Sequence, residues 1–239
     1  MRATLTFCIL LFFPVWLLAQ GARQYSFKHF STLNGLESNS VNSVAQDADG
    51  YIWIATTNGL QRYDGASFIT FKESEGKKGS IPSTNIIDLY RDRNNNLWLV
   101  GDDKSIGIFN TRKFEFTPVP LPKDITLNAH QRFVEFPGGH LVLMDNNGNL
   151  YQYVAKEGKL QPANHLMQKP QGWKINHMAW DARINKFWVS ADKGLLLFDP
   201  ATRRMHYRGH NGINDPAIKA FENISHLVDL SVDKQGNLF

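Results

Sequence analysis

Apolar and polar residues alternate in short runs along this chain, and corners containing glycine interrupt the runs. Val41–Gln46 stops at Asp47-Ala48-Asp49-Gly50. The run 51–56 stops at Asn58-Gly59, 60–63 stops at Asp64-Gly65, and 67–71 closes the set. Short apolar runs between such corners predict strands. Asp-Gly and Asn-Gly corners predict hairpins, because glycine supplies the positive φ of a tight turn. Pro137-Gly138-Gly139, Asn147-Gly148 and Lys193-Gly194 mark similar corners further on. Helical periodicity is nowhere sustained.

The pattern repeats. Gly50-Tyr51-Ile52-Trp53-Ile54-Ala55-Thr56 recurs as Asn95-Asn96-Leu97-Trp98-Leu99-Val100-Gly101. It recurs again as Gly139-His140-Leu141-Val142-Leu143-Met144-Asp145 and as Lys186-Phe187-Trp188-Val189-Ser190-Ala191. Gln235-Gly236-Asn237-Leu238-Phe239 opens a fifth copy. Equivalent positions 53, 98, 142, 188 and 239 lie 45, 44, 46 and 51 residues apart. Tyr63, Phe109, Tyr153 and Phe198 keep step with them, as do Asp47, Asp92, Asp181 and Asp233. Four short strands per ~40–50 residues, repeated, predict the blades of an all-β propeller. A blade is apolar on both faces and needs a neighbour on each. Trp53, Trp98 and Trp188 are therefore assigned to the space between blades, rather than to an exposed sugar-stacking platform.

The first segment is of another kind. Arg2 is followed by a charge-free stretch to Ala22, with an apolar centre over 9–18 and a small residue, Ala19, at its exit. This predicts a secretory signal over 1–19 and an exported, periplasmic chain. An uncleaved anchor is the alternative, though a membrane span needs ~20 apolar residues. The single cysteine, Cys8, falls inside the signal, so residues 20–239 contain no thiol and disulfides and thiolate chemistry are excluded. Removing the signal lowers the formal charge from +4 to +3. The remaining basic residues are scattered, which argues against a nucleic-acid partner.

At this point a family resemblance emerges. Gly35-Leu36-Glu37-Ser38-Asn39-Ser40-Val41, Asp47-Ala48-Asp49-Gly50-Tyr51-Ile52-Trp53-Ile54-Ala55-Thr56 and Asn58-Gly59-Leu60-Gln61-Arg62-Tyr63-Asp64 together closely resemble the two-component regulator propeller repeat. The second and fourth units match in outline. The third departs, with Val142 in place of tryptophan and Leu150-Tyr151-Gln152-Tyr153 only loosely similar. The resemblance implies a periplasmic sensor whose blades precede a β-sandwich, a membrane helix and a cytoplasmic histidine kinase. It implies a glycan or other small molecule as ligand, and a full receptor that can act as a homodimer. The kinase parts are not recognisable here, so the expectation is a piece of a larger receptor, itself no enzyme. On this reading the propeller occupies 20–239, with blades at 41–71, 84–117, 129–162 and 175–207. An incomplete blade follows at 225–239, giving about four and a half blades in an incomplete ring. Strand 25–30 would close a missing last blade. Such an open ring is expected to aggregate or fold marginally.

Other chemistry finds no support in the sequence. The Asp…Gly…Trp corner resembles the sialidase-type propeller motif, but Ala48 stands where its aspartate belongs. Asp47 and Asp49 read as turn formers. Eight histidines are dispersed without metal-ligand spacing, and His177 and His226 read as core or channel-lining residues of inner strands. No cofactor, metal or catalytic residue is nominated. A protein-interaction scaffold is the alternative function, and a secreted carbohydrate-active enzyme a third. The ligand is placed on the face formed by loops 33–40, 73–84, 118–129, 163–174 and 209–223. The turns Thr57-Asn58, Asp102-Asp103-Lys104, Asn146-Asn147 and Asp192-Lys193 share that face. No individual ligand residue is singled out.

Overall fold

The computed structural model describes residues 26–74, 80–125 and 132–239. The signal assigned to 1–19 lies outside these residues. So does Tyr25, and residues 26–30 carry no strand.

Residues Ser31–Phe239 form one unit. It contains four antiparallel sheets, each of four strands in sequence order. The first holds β1 (Val41–Gln46), β2 (Ile52–Thr56), β3 (Gly59–Tyr63) and β4 (Phe68–Phe71). The second holds β5 (Ile86–Arg91), β6 (Leu97–Gly101), β7 (Ile106–Asn110) and β8 (Glu115–Pro118). The third holds β9 (Arg132–Phe136), β10 (His140–Met144), β11 (Leu150–Val154) and β12 (Lys159–Pro162). The fourth holds β13 (Ile175–Asp181), β14 (Lys186–Ala191), β15 (Gly194–Asp199) and β16 (Arg204–Tyr207). First strands neighbour first strands, β1 beside β5 and β9 beside β13. These are successive propeller blades, and among the described residues the all-β fold is broken by two 3-10 turns, Thr32–Asn34 and Asn164–Leu166, and by α1 (Pro216–Ala220), a short helix capped by the Asp215 carboxylate.

The corners follow from residue type. Thr56 pairs with Gly59 and Ala191 with Gly194, closing two-residue hairpins. Gly59 has φ 122° and Gly194 has φ 127°, values that disfavour any side chain. A Cβ on Gly59 would also lie 2.7 Å from the Phe71 carbonyl oxygen.

The core is laminated between blades. Trp53 packs against Ile86, Leu97, Leu99 and Phe109 of the second blade. Trp98 and Val100 point the other way, toward Phe133, Leu141 and Leu143 of the third. Val142 and Met144 face Phe187 and Val189 of the fourth. Trp188 packs with Leu230 and Ile218. Adjacent residues of one strand thus serve opposite seams, as strand alternation requires. Trp53 and Trp98 are fully buried and Trp188 is 5% exposed, which fits the assignment of the tryptophan series to the space between blades.

The fifth unit differs from expectation. The incomplete blade expected over 225–239 should open on an inner strand holding His226, yet that segment forms only a bridge between Val232 and Leu238. Its leading N–H groups are engaged elsewhere: His226 donates to Asp192 O (2.9 Å) and Leu227 to Ala191 O (3.1 Å). His226 itself has φ 60°, which breaks the extended path.

Candidate functional site

The repeated aspartates build corners, as their turn-former reading requires. Asp47 Oδ1 accepts from the backbone N–H of Asp49 and Tyr51, both at 3.0 Å, while Oδ2 accepts from Trp53 Nε1 at 2.7 Å. Asp92 repeats this with Asn94, Asn96 and Trp98 Nε1 (3.0 Å), and adds Asn96 Nδ2 (2.8 Å). Asp181 accepts from Arg183 and, at 3.4 Å, from Trp188 Nε1. In the third blade, where Val142 replaces tryptophan, Asp145 takes the same bonds in the β10–β11 corner, from Asn147, Asn149 and Asn149 Nδ2. These four carboxylates are buried. Each is saturated by turn donors, joined by an indole N–H at Asp47, Asp92 and Asp181. Burial alone would raise the Asp181 carboxyl, but the bonds from Arg183 and Trp188 outweigh it and hold the group below the usual carboxylate range.

Inner strands are also stitched to each other by polar side chains. A β-bulge falls between Val41 and Ser43, between Ile86 and Asp88, and between Ile175 and His177. At two of these bulges an asparagine reaches the next unit. Asn42 Nδ2 donates to Ile86 O (2.8 Å) and Asn176 Nδ2 to Leu227 O (2.7 Å). One residue on, Ser43 Oγ donates to Asp88 Oδ1 (3.0 Å), and His177 Nδ1 meets Asp229 Oδ1 (2.6 Å) and Leu230 O (2.8 Å). His177 is thus a satisfied inner-strand residue. His226, by contrast, is exposed and outside any strand. Among the described residues, no group of histidine, cysteine, aspartate and glutamate could hold a metal ion.

Several described polar groups of the predicted loop set tie its loops to one another. Thr57 N donates to Ser40 O, Asp102 N to Asn85 O and Asp192 N to Lys174 O. The Asp102 carboxylate accepts from Ser83 Oγ and Asn85 Nδ2, which lower its pKa, with Ser83 the stronger influence. Lys169 Nζ donates to Asn147 O. Residues 75–79 and 126–129 of that loop set lie outside the described residues.

Among the described residues, clefts open around the first-to-second and third-to-fourth strand turns. One, of about 300 Å³, lies between the first two blades and is lined by Asp49, Asn94, Asn95 and Arg112 among others. A second, of about 360 Å³, sits on inner strands β5, β9 and β13, where Tyr90, Phe133, Met178 and Trp180 meet the Arg93–Glu135 pair. Arg93 donates from its backbone N to Glu135 Oε1 and from Nε to Oε2, both at 2.7 Å. Tyr90 stacks on Phe133 with centroids 5.3 Å apart. Burial, then the Glu135 and Asp92 charges, push the Tyr90 phenol up to about 12, so it is a neutral hydroxyl at any ordinary pH. Trp180 is half-buried on the Phe187 ring edge (4.7 Å) and also lines a third cleft, of about 440 Å³, between blades three and four.

Register explains why Trp180 stands out. The residues paired just before the tryptophan position of the second strand are Gln46, Arg91 and Glu135 in the first three blades and Trp180 in the fourth. Three polar residues and one indole occupy equivalent sites. Comparing units in register locates this departure, whereas reading the motif alone passes over it.

Comparison with known proteins matches this architecture. The model of the two-component regulator propeller family fits residues 35–58 and 80–103, so the chain carries repeats of that kind. Histidine kinase P4 of Formosa agariphila is 32% identical over 83 residues, 34% of this chain and 6% of the kinase. The extracellular domain of BT4673, a hybrid two component system of B. thetaiotaomicron, superposes with a TM-score of 0.61 at 18% identity, over 90% of this chain and 30% of that one. Virginiamycin B lyase from Staphylococcus aureus superposes with a TM-score of 0.54 at 13% identity, over 83% of this chain and 62% of the lyase. At these identities the structural likeness establishes the propeller fold alone. The chain spans well under a third of the kinase and under two thirds of the two structural relatives.

Proposed function

We propose that this chain is part of the extracytoplasmic sensor of a two-component receptor, and that it recognises a glycan or related small molecule in the cleft on β5, β9 and β13. The observation that carries the reading is the make-up of that cleft. An aromatic pair, Tyr90 on Phe133, and the half-buried Trp180 line one opening together with the Arg93–Glu135 ion pair. Sugars present apolar C–H faces and rims of hydroxyls, and such a mix of aromatic and paired polar groups suits both. The Arg93–Glu135 pair is partly exposed, with side chains 48% and 17% accessible, so it can exchange water for ligand hydroxyls.

The two-component regulator propeller repeats and the likeness to an extracellular receptor domain support a sensing role. The role requires no bond-breaking step. Signal relay would pass from the ligand to kinase parts outside this chain. Isothermal titration calorimetry of the purified protein against an oligosaccharide panel tests the proposal. Saturable binding that Trp180→Ala abolishes, with folding intact by circular dichroism, is the expected result. Capture of a protein partner with no oligosaccharide binding would favour an interaction scaffold instead.

A further inference from the structure

The seam between blades three and four is built differently from that between blades one and two. In the third-to-fourth strand turn of the second blade, Phe114 sits at φ 58° and plugs the seam, with its ring 5.0 Å from Phe71 and under the Arg62 guanidinium. In the third blade that turn position is Gly158 at φ 62°, the residue such a conformation favours. In the fourth blade it is Arg203 at φ 57°. An arginine held in a glycine-favouring conformation does not plug its seam. The cleft of about 440 Å³ stays open there, with Arg203, His140, Asn185, Trp180, Phe136 and Pro200 on its walls.

The charges of this cleft are one-sided. Arg112 in the first cleft pairs with Asp49, and Arg93 in the second pairs with Glu135. Arg203 is exposed and makes no hydrogen bond or ion pair among the described residues. Among the described residues, no carboxylate lines the cleft. The nearby Asp199 is committed to its own turn, accepting from Ala201 and Thr202, and to Lys186 at 3.6 Å. Gln152 Nε2 lies 2.7 Å from His140 Nδ1 on the opposite wall.

We propose that this seam is a subsite for a uronate, a sugar ring bearing a carboxylate. Trp180 supplies the apolar face on which the ring lies. Arg203 supplies the planar, paired donors that match a carboxylate's two oxygens. Because Trp180 lines the inner-strand cleft as well, the uronate is one residue of an oligosaccharide whose neighbour lies in that cleft. The inference rests on the saccharide-sensor reading and adds the acidic group to it.

The test uses the purified protein with oligogalacturonate and oligoglucuronate, each as the free acid and as its methyl ester, followed by calorimetry at low and high salt. The free acid should bind at least tenfold more tightly than the ester. Arg203→Gly restores the residue type the turn favours, so the fold stays intact while the preference disappears. Arg203→Lys, a charge without the planar fork, should recover only part of it. Equal binding of acid and ester by the unaltered protein, or a preference that survives Arg203→Gly, overturns the uronate subsite but leaves the sensor reading standing. Tighter binding of a sulfated neutral oligosaccharide than of any uronate also overturns it. Failure of every acid, ester and neutral oligosaccharide to bind removes the subsite and the sensor reading together.

Discussion

Replacing Asp92 by asparagine tests how much the repeated corner contributes to the fold. Asp92 is 4% exposed and Trp98 is fully buried. The carboxylate accepts four bonds, from Asn94 N, Asn96 N, Asn96 Nδ2 and Trp98 Nε1. An amide keeps the shape but has a single oxygen. With that oxygen toward the two backbone donors, its NH2 group faces the indole N–H, donor against donor. The Asn96 side chain is half-exposed and can turn away, whereas the packed indole cannot. Leaving a buried donor unpaired costs about 1–3 kcal/mol, and losing charge from the two backbone bonds adds about 1 kcal/mol. Asp92→Asn should therefore destabilise by about 3 kcal/mol, or roughly 6–12 °C in Tm for a chain of this size. Trp98→Phe removes the competing donor at the expense of packing, about 2 kcal/mol. In the double variant the unpaired-donor penalty vanishes, so the two changes should sum to about 1–2 kcal/mol less than their separate effects. Denaturant melts of the four proteins complete the cycle. Asp233→Asn is the control: it sits in the same corner and accepts from Asn237 N and Nδ2, but Phe239 occupies the indole position, so only the charge loss remains and the cost should be about 1 kcal/mol or less. Strict additivity of Asp92→Asn and Trp98→Phe would refute the role given to the indole–carboxylate bond.

Three further outcomes follow from single residues. Gly59→Ala should cost about 2 kcal/mol, since φ 122° and the approach to Phe71 O both oppose a Cβ; an unchanged melt would contradict the hairpin geometry. The Asp64 carboxyl, held at about 2 by backbone N–H groups of Ser67 and Ala66, has its pKa lowered by folding. Its contribution is therefore fully present above pH ~4 and lost as pH falls toward ~2; Asp64→Asn should flatten that part of the stability profile, and an NMR titration midpoint near the ordinary 3.8 would contradict it. Tyr90, raised to about 12, should stay protonated when other tyrosines ionise, so Tyr90→Phe should remove the latest step of an ultraviolet pH titration and leave the earlier ones.

The fold was readable because the repeat speaks at several levels at once. Short apolar runs, glycine corners and the Trp53, Trp98 and Trp188 spacing all point to the same four-stranded unit, and Gly59 and Gly194 sit where their φ demands glycine. The fifth unit was harder to read. Its aspartate corner is a faithful copy, with Asn237 N and Nδ2 donating to Asp233. The strand before that corner fails because His226 and Leu227 donate to the fourth blade, a tertiary choice that local pattern does not encode. The inner-strand bulges were invisible for a related reason: Asn42 and Asn176 look like ordinary polar strand residues until the neighbouring carbonyl is in place. Loop composition drew attention to the long connections. Several of their described polar groups bind one another, while the clefts are lined by residues such as Trp180 and Arg203 that stand out only against their equivalents in other blades.

Hydrogen exchange of the protein with and without a bound oligosaccharide tests the central claim most directly, because it reports where a ligand sits without presuming its chemistry. Slowed exchange should fall on 90–93, 133–140 and 178–185, the strand ends that border the clefts at Trp180. Loops 33–40 and 209–223 should exchange as before. Protection confined to those loops, with the strand ends unchanged, would contradict the account.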